Sequence, residues 1–155
     1  RWTEWYKNGK KEYELNYKDG NGVSKKDGLL TYWYENGNKK YEKNYKKGQL
    51  NGLWVEWYEN GNKKYEKNYK KGKPEGLLTY DLHGISVEWY ESGQKKSEGF
   101  YIHGKENGLL TYWYENGKKK AEIHYKNGKL DGLWISWSED GKTRSEKHFK
   151  DGKEQ

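Results

Sequence analysis

Glutamates recur at one position of a repeated motif, and regularly spaced carboxylates are the first candidates for chemistry. They are Glu14, Glu42, Glu66, Glu98, Glu122 and Glu146. Two carboxylates could hydrolyse a glycosidic bond if they lay roughly 5 to 9.5 Å apart. Equivalent residues in neighbouring hairpins of an open sheet are about 10 Å apart. Each glutamate also has lysine neighbours. We therefore expect charge pairs with lysine and no catalytic residue.

Histidine offers a second chemistry, the binding of a metal ion. His124 and His148 are 24 residues apart. The sheet should hold these equivalent positions about 10 Å apart, whereas a zinc–nitrogen bond is about 2 Å long. His83 and His103 are expected to lie in loops. The chain has no cysteine, which excludes disulfides and thiolate ligands. The sequence therefore predicts no metal site and no cofactor.

Pairs of lysines follow several predicted turns and should form a basic stripe near one edge of a sheet. The pairs are Lys39 and Lys40, Lys63 and Lys64, Lys95 and Lys96, and Lys119 and Lys120. Such a stripe could contact anionic lipid, teichoic acid or nucleic acid. It could also keep strand edges soluble. The net charge of +7 arises from 31 basic and 24 acidic residues, so the mixed charges favour the solubility role.

The elements that position these residues follow from an internal repeat. Six tryptophans precede a predicted turn at steps of 28, 24, 32, 24 and 24 residues: Trp5, Trp33, Trp57, Trp89, Trp113 and Trp137. Glycine recurs 4 and 15 residues after each of them. The base period is 24, with insertions around Asn21 to Lys26 and near Leu77 to Gly84. The approximate units are 1–27, 28–51, 52–83, 84–107, 108–131 and 132–155.

Each unit is expected to form a β-hairpin, because Asn-Gly lies between runs of Trp, Tyr, Thr and Val. No apolar period of 3.6 residues occurs, so essentially no helix is expected. We predict a three-residue loop at 35–37, with Gly37 in the left-handed region. That loop would gather the apolar positions of the two strands on one face, the predicted core: Leu29, Thr31, Trp33, Tyr41 and Tyr45.

The opposite face would carry aromatic residues that vary more between copies. Large aromatic side chains on a solvated face commonly mark interaction sites. The candidates for binding are Trp54, Trp134, Tyr32, Tyr112, Tyr34, Tyr58, Tyr90 and Tyr114. For the first four of these residues, a role in the core is an equally open interpretation.

The spacing of Tyr125, Gly128, Gly132 and Gly141 in YKNGKLDGLWISWSEDG resembles the MORN repeat. The WYENG hairpin is similar to the bacterial variant class of that family. The resemblance covers nearly the whole chain and implies an all-β, elongated, single-layer antiparallel sheet of tandem hairpins, a solenoid ribbon. The last copy departs from the pattern, with Ser138 and Asp140 where others have Tyr and Asn, which suggests a cap.

The resemblance implies a non-catalytic scaffold that binds another protein, or a second copy of itself as a homodimer. The family's bacterial members imply an antitoxin-like, immunity-like or exported role. A glycan or cell-wall module that stacks aromatic rings on sugars is one alternative, and a binder of anionic lipid is another. The interspersed acidic residues argue against nucleic acid. The compartment stays open between the cytoplasm and an exported or surface location.

Overall fold

The computed structural model describes residues 1–20, 23–70 and 81–155. These residues form strands and turns, and no helix occurs among them. Likewise, no helix long and apolar enough to cross a membrane is found in these ranges. The chain divides into two compact units, Arg1–Asp81 and Leu82–Gln155. Because the division falls one residue inside a strand, that strand is described with the second unit.

The described part of the first unit is an antiparallel sheet in which each strand pairs with the next along the chain. Its strands are β1 (Trp2–Trp5), β2 (Lys11–Gly20), β3 (Val23–Trp33), β4 (Lys39–Lys46), β5 (Gln49–Trp57) and β6 (Lys63–Lys70). This all-antiparallel order allows every connection to be a tight turn, as predicted from the recurring Asn-Gly and Gly signals.

The second unit is a sheet of the same kind. Its strands are β7 (Asp81–Trp89), β8 (Lys95–Ile102), β9 (Lys105–Glu106), β10 (Gly108–Trp113), β11 (Lys119–Lys126), β12 (Lys129–Trp137), β13 (Arg144–Lys150) and β14 (Lys153–Glu154). Both β9 and β10 pair with β8, so they act as one strand interrupted at Asn107. The predicted single-layer, helix-free architecture is confirmed for each unit.

The hairpin loop has the predicted three residues. Tyr34 donates its backbone N–H to the carbonyl of Asn38 at 2.8 Å, and Gly37 donates to the carbonyl of Tyr34 at 2.9 Å. Gly37 has a φ of 96°, the left-handed conformation that glycine adopts without a steric penalty. The loop prediction is therefore confirmed.

The register beyond the loop differs from the prediction, because a bulge follows it. Trp33 pairs with Lys39, but Tyr32 pairs with Tyr41, so Lys40 is an extra residue on its strand. A one-residue shift moves every following side chain to the other face. The predicted grouping of Trp33 with Tyr41 is therefore wrong.

Two faces result in each unit. We call the first the tyrosine face, exemplified by Leu30, Tyr32, Tyr41, Lys43 and Tyr45. We call the second the tryptophan face, exemplified by Leu29, Thr31, Trp33, Lys39, Glu42 and Asn44. The buried apolar residues concentrate on the tyrosine face: Leu15, Leu30, Leu50, Leu110, Ala121 and Ile123. The predicted core face was thus the wrong one, because the bulge places the tyrosine rings beside these apolar side chains.

Two-residue turns connect successive hairpins at the other edge of each sheet. Both Lys47 and Gly48 have positive φ, as a type I′ turn requires. The N–H of Gly48 donates at 2.8 Å to the carbonyl of Lys26 on β3, the first strand of the hairpin that ends at this turn. Equivalent bonds join Gly128 to Glu106 and Gly152 to Leu130. These bonds link each turn to the first strand of the hairpin that it follows.

The insertions are accommodated within strands as far as the structure describes them. A surface loop was expected around Asn21 to Lys26, but β2 and β3 remain paired from Tyr17 and Lys26 outwards to Gly20 and Val23. That expectation is wrong for Val23–Lys26, which belong to β3, whereas 21–22 lie outside the described residues. In the second insertion, 77–80 also lie outside them, whereas Asp81–Gly84 form the start of β7.

Candidate binding surfaces

Two predicted binding tyrosines, Tyr32 and Tyr112, pack against other residues of the tyrosine face. The ring of Tyr32 stacks on those of Tyr13 and Tyr41, with centroids 4.9 and 4.6 Å away. Burial raises the pKa of the Tyr41 hydroxyl above its usual range. Tyr112 lies opposite the buried Ala121, and burial raises its pKa as well. These tyrosines therefore contribute to the packed side of the sheet.

Trp54 and Trp134 also have close neighbours on the tyrosine face. The Nζ atom of Lys43 lies 3.9 Å from the centre of the Trp54 ring, which is a cation–π contact. Rings of Tyr65 and Tyr69 lie 5.6 and 5.7 Å from Trp54. Burial lowers the pKa of Lys43. Trp134 similarly packs against Phe149 at 5.8 Å. A role in binding stays a prediction for both tryptophans, although both have structural contacts.

Tyrosines of three WYENG-type hairpins link one copy to the next. The hydroxyl of Tyr34 donates to the carbonyl of Trp57 at 2.9 Å, and that of Tyr114 donates to Trp137 at 2.8 Å. Tyr90 does the same with Trp113 at 2.8 Å. Tyr58, which shares this position, lies under the Lys64 ammonium at 5.8 Å. Sequence reasoning missed these links, although the constant offset of 23 residues follows from the period.

Asparagine at the loop centre adds a second link. The side-chain amide of Asn36 donates to the carbonyl of Glu59 in the next loop at 2.9 Å, while its oxygen accepts from the N–H of Asn38. In the last copy, Asp140 instead accepts bonds from Lys142 and from the Ser138 hydroxyl in its own loop. Ser138 and Asp140 of the last copy thus form hydrogen bonds within their own loop. The Tyr and Asn at these positions in several other copies form hydrogen bonds with the next copy.

Each lysine of the stripe has a partner on the sheet, either a glutamate or a tyrosine ring. The first lysine of each pair forms an ion pair with the recurring glutamate, such as Lys39 with Glu42 at 2.6 Å and Lys63 with Glu66 at 2.7 Å. The expected pairing is confirmed, although both partners lie on the same strand. The second lysine lies over the hairpin tyrosine, as Lys40 does over Tyr34 at 5.5 Å. The other stripe lysines repeat these contacts: Lys64, Lys95, Lys96, Lys119 and Lys120.

Exposed apolar side chains lie on the tryptophan face of the second unit, where sequence reasoning did not place a site. Ile85 and Phe100 pair across β7 and β8, and their side chains are 52% and 40% exposed. Leu109 on β10 is 44% exposed. Since Thr111 pairs with Glu98, strand alternation places Leu109 on the same face as Phe100, on the neighbouring strand. These three residues, which we call the apolar row, therefore cross three strands.

Phe100 is unusual within its own repeat position. Asn44 has the equivalent position in the first unit, and its amide donates to the carbonyl of Leu53 at 2.9 Å. Asn16 makes the same bond to Leu29 at 3.4 Å. A phenylalanine cannot make this bond and presents a ring to solvent instead. The substitution of aromatic for amide was visible in the sequence, but Phe100 was not named among the candidate binding residues.

The histidines do not all lie where they were expected. His83 lies within β7, so the expectation of a loop is wrong for it. His103 lies in the two-residue turn between β8 and β9. The two rings approach to 5.6 Å between centroids. His124 is exposed on β11, with Nδ1 at 3.1 Å from the carbonyl oxygen of Leu133.

Comparison with known proteins gives one family. The model of the MORN repeat variant matches six segments, which together cover most of the chain: 1–19, 26–47, 50–71, 82–103, 106–127 and 130–151. No curated protein matches the chain. The six matches agree with the six copies predicted from the tryptophan spacing, and adjacent uninterrupted copies start 24 residues apart. The chain belongs to the MORN repeat variant family.

Proposed function

We infer that the chain is a non-catalytic scaffold that binds another protein through the tryptophan face of its second unit. Repeats of this family are typically non-catalytic binding modules for proteins or membrane lipids. The observation that carries the choice of surface is the apolar row. Its three side chains belong to Ile85, Phe100 and Leu109, and they are 40–52% exposed although they are apolar.

The chemistry of the apolar row suits a protein partner. Contiguous exposed apolar side chains commonly mark a protein interface, and an aromatic anchor near the centre usually contributes most of the affinity. Phe100 has that central place between Ile85 and Leu109. On the same face, Lys95 and Glu98 form an ion pair that would lie at the rim of such an interface. The bound state would bury the apolar row and leave the charged pair in contact with water.

Membrane lipid has less support as the ligand. Binding to an anionic surface requires lysines whose charge is available. Here Lys39, Lys63 and Lys95 are paired with glutamates of their own strands. Sugar stacking has less support too, because the tyrosine-face rings described above stack on one another.

A comparison of variants on immobilised chain would test the proposal. Phe100→Asn with Ile85→Thr removes the apolar row while giving position 100 the residue found at Asn16 and Asn44. Trp2→Ser is the matched control, because it removes an aromatic side chain that is 56% exposed in the first unit. Proteins retained from lysate and envelope of the source cell would be quantified by mass spectrometry.

We expect at least one protein that the parent chain and the Trp2 variant retain and the double variant loses. The purified partner should then bind the double variant more than about tenfold more weakly, a loss of roughly 1.4 kcal/mol or more. Equal retention by all three chains would contradict the proposal. Salt-sensitive binding of the parent to phosphatidylserine vesicles, without any such protein, would favour lipid instead.

A further inference from the structure

A group of metal-ligating side chains lies at the beginning of β7 and in the turn after β8. Asp81, His83 and His103 each offer one ligand atom, and these atoms all lie within 4.8 Å of one another. The imidazole rings are 5.6 Å apart between centroids, at an interplanar angle of 72°. Among the residues that the structure describes, no second group of three such side chains comes together in this way.

The backbone of the repeat explains why two histidines that are distant in sequence meet. The turn residue of a copy lies against the start of that copy's first strand, as the bond from Gly104 N–H to the carbonyl of Leu82 at 2.9 Å shows. In the next copy, Asn107 and Asn127 have the positions of His83 and His103. There Asn127 donates its N–H to the Asn107 side chain at 3.4 Å. The fold therefore brings these two positions together whatever residues they hold.

The three side chains differ in their exposure to solvent. Asp81 and His83 are half-buried, and their atoms Oδ1 and Nδ1 are inaccessible to solvent. His103 is exposed, and its φ of 50° belongs to the turn. The exposed His103 would give an ion access to the group, and rotation of the side chains would bring their ligand atoms into its coordination sphere.

We propose that Asp81, His83 and His103 form a binding site for a divalent transition metal ion, represented here by Zn²⁺. Two imidazole nitrogens and one carboxylate oxygen are a donor set that zinc accepts, with bonds of about 2.0–2.2 Å. Such bonds place neighbouring ligand atoms roughly 3.3–3.5 Å apart. The present separations, at most 4.8 Å, close to that value by side-chain rotation.

Three protein ligands leave one position of a tetrahedral zinc for water or for a donor from another molecule. The ion would also tie the start of β7 to the turn after β8. Since the ion binds the folded chain, it should raise the melting temperature of the protein.

Calorimetric titration of the full chain with Zn²⁺ tests the site. The ligand variants are Asp81→Gln, His83→Asn and His103→Asn, because the chain already carries Gln49, Asn107 and Asn127 at the equivalent positions. The matched control is the double variant His124→Asn with His148→Asn, which removes two exposed histidines. Melting temperatures without metal should be similar for all of these chains.

We expect one Zn²⁺ per chain with micromolar affinity and a higher melting temperature when it is bound. Each ligand variant should bind more than about tenfold more weakly, and the control should bind like the parent. Absence of binding to the parent, equal binding by a variant that combines the three ligand substitutions, or loss of binding in the control would overturn the proposal.

A second measurement on the unmodified chain does not depend on how the variants fold. Paramagnetic Co²⁺ should broaden the imidazole resonances of His83 and His103 at substoichiometric concentration and leave those of His124 and His148 sharp. Broadening of His124 or His148 first would place the ion elsewhere. Because the apolar row is not altered in these experiments, their outcome is independent of protein binding.

Discussion

The Tyr34 hydroxyl donates a 2.9 Å hydrogen bond to the backbone carbonyl of Trp57, one copy further along the chain. Burial raises the pKa of this tyrosine, which keeps the donor protonated. The bond therefore joins two hairpins through one side chain and one peptide group.

Tyr34→Phe should lower the free energy of unfolding by about 1 kcal/mol, because it removes one partly buried hydrogen bond and leaves the ring in place. Urea unfolding followed by circular dichroism would measure the loss. Tyr17→Phe is the control, since Tyr17 is 43% exposed, and it should have little effect. Equal stability of both variants would show that the link between copies contributes nothing.

Gly99→Ala should destabilise the second unit. A Cβ atom at this position would lie 1.8 Å from Cδ1 of Leu110, on the neighbouring strand. Because Leu110 is only 3% exposed, it has little room to move, and we expect a loss of about 1–3 kcal/mol. Gly152→Asn serves as the comparison, because a Cβ atom there would meet nothing within 4 Å and asparagine tolerates a positive φ. Thermal unfolding of both would be compared, and a harmless alanine at 99 would contradict the packing.

Trp54→Ala should destabilise the first unit by about 2 kcal/mol, since it removes ring contacts with Tyr65 and Tyr69 and the cation–π contact with Lys43. From the sequence, a role in binding and a role in the core were equally open for this tryptophan. Trp5→Ala removes a ring that is 59% exposed and should cost clearly less. Chemical unfolding of the two variants gives the comparison, and the reverse order would contradict a structural role for Trp54.

Alkaline pH should weaken the second unit through Tyr101. Burial, reinforced by Glu106, raises the pKa of its hydroxyl from 10.0 to about 12. The folded state thus favours the protonated form. The associated stability is fully present below pH 10 and is lost as pH rises towards 12. Thermal unfolding from pH 9 to pH 12 should show a steeper decline for the parent than for Tyr101→Phe. Parallel curves would contradict the burial of this hydroxyl.

Local chemistry made the hairpins predictable. The Asn-Gly pair and the 24-residue period were enough to predict the six copies, the three-residue loop at 35–37 and the absence of helix. The faces were not predictable in the same way, because one extra residue at Lys40 reverses the alternation. No feature of the Lys39–Lys40 pair predicts a bulge, because the position of a bulge depends on pairing with the neighbouring strand.

The candidate surfaces depended on that alternation. Tyr32 and Trp54 were correctly grouped on one face, but the residues opposite them were not, so their packed environment was missed. Neither Phe100 nor Ile85 was named as a candidate binding residue. The meeting of His83 and His103 was also missed, although their separation of 20 residues recurs in the bond between Asn107 and Asn127.

The bonds between copies described above have one further consequence, for how such a gene can change length. Each joins equivalent positions of a copy and its neighbour, 23 residues apart for Tyr34 and Trp57 and 27 apart for Tyr6 and Trp33, where the four-residue insertion intervenes. Loss of codons 28–51 would bring Trp57 into the place of Trp33 and Gly52 into that of Gly28. Each hydrogen-bond donor that loses its partner in the next copy would then lie beside the same kind of acceptor. Recombination between copies can therefore shorten or extend the protein by whole periods without a compensating mutation.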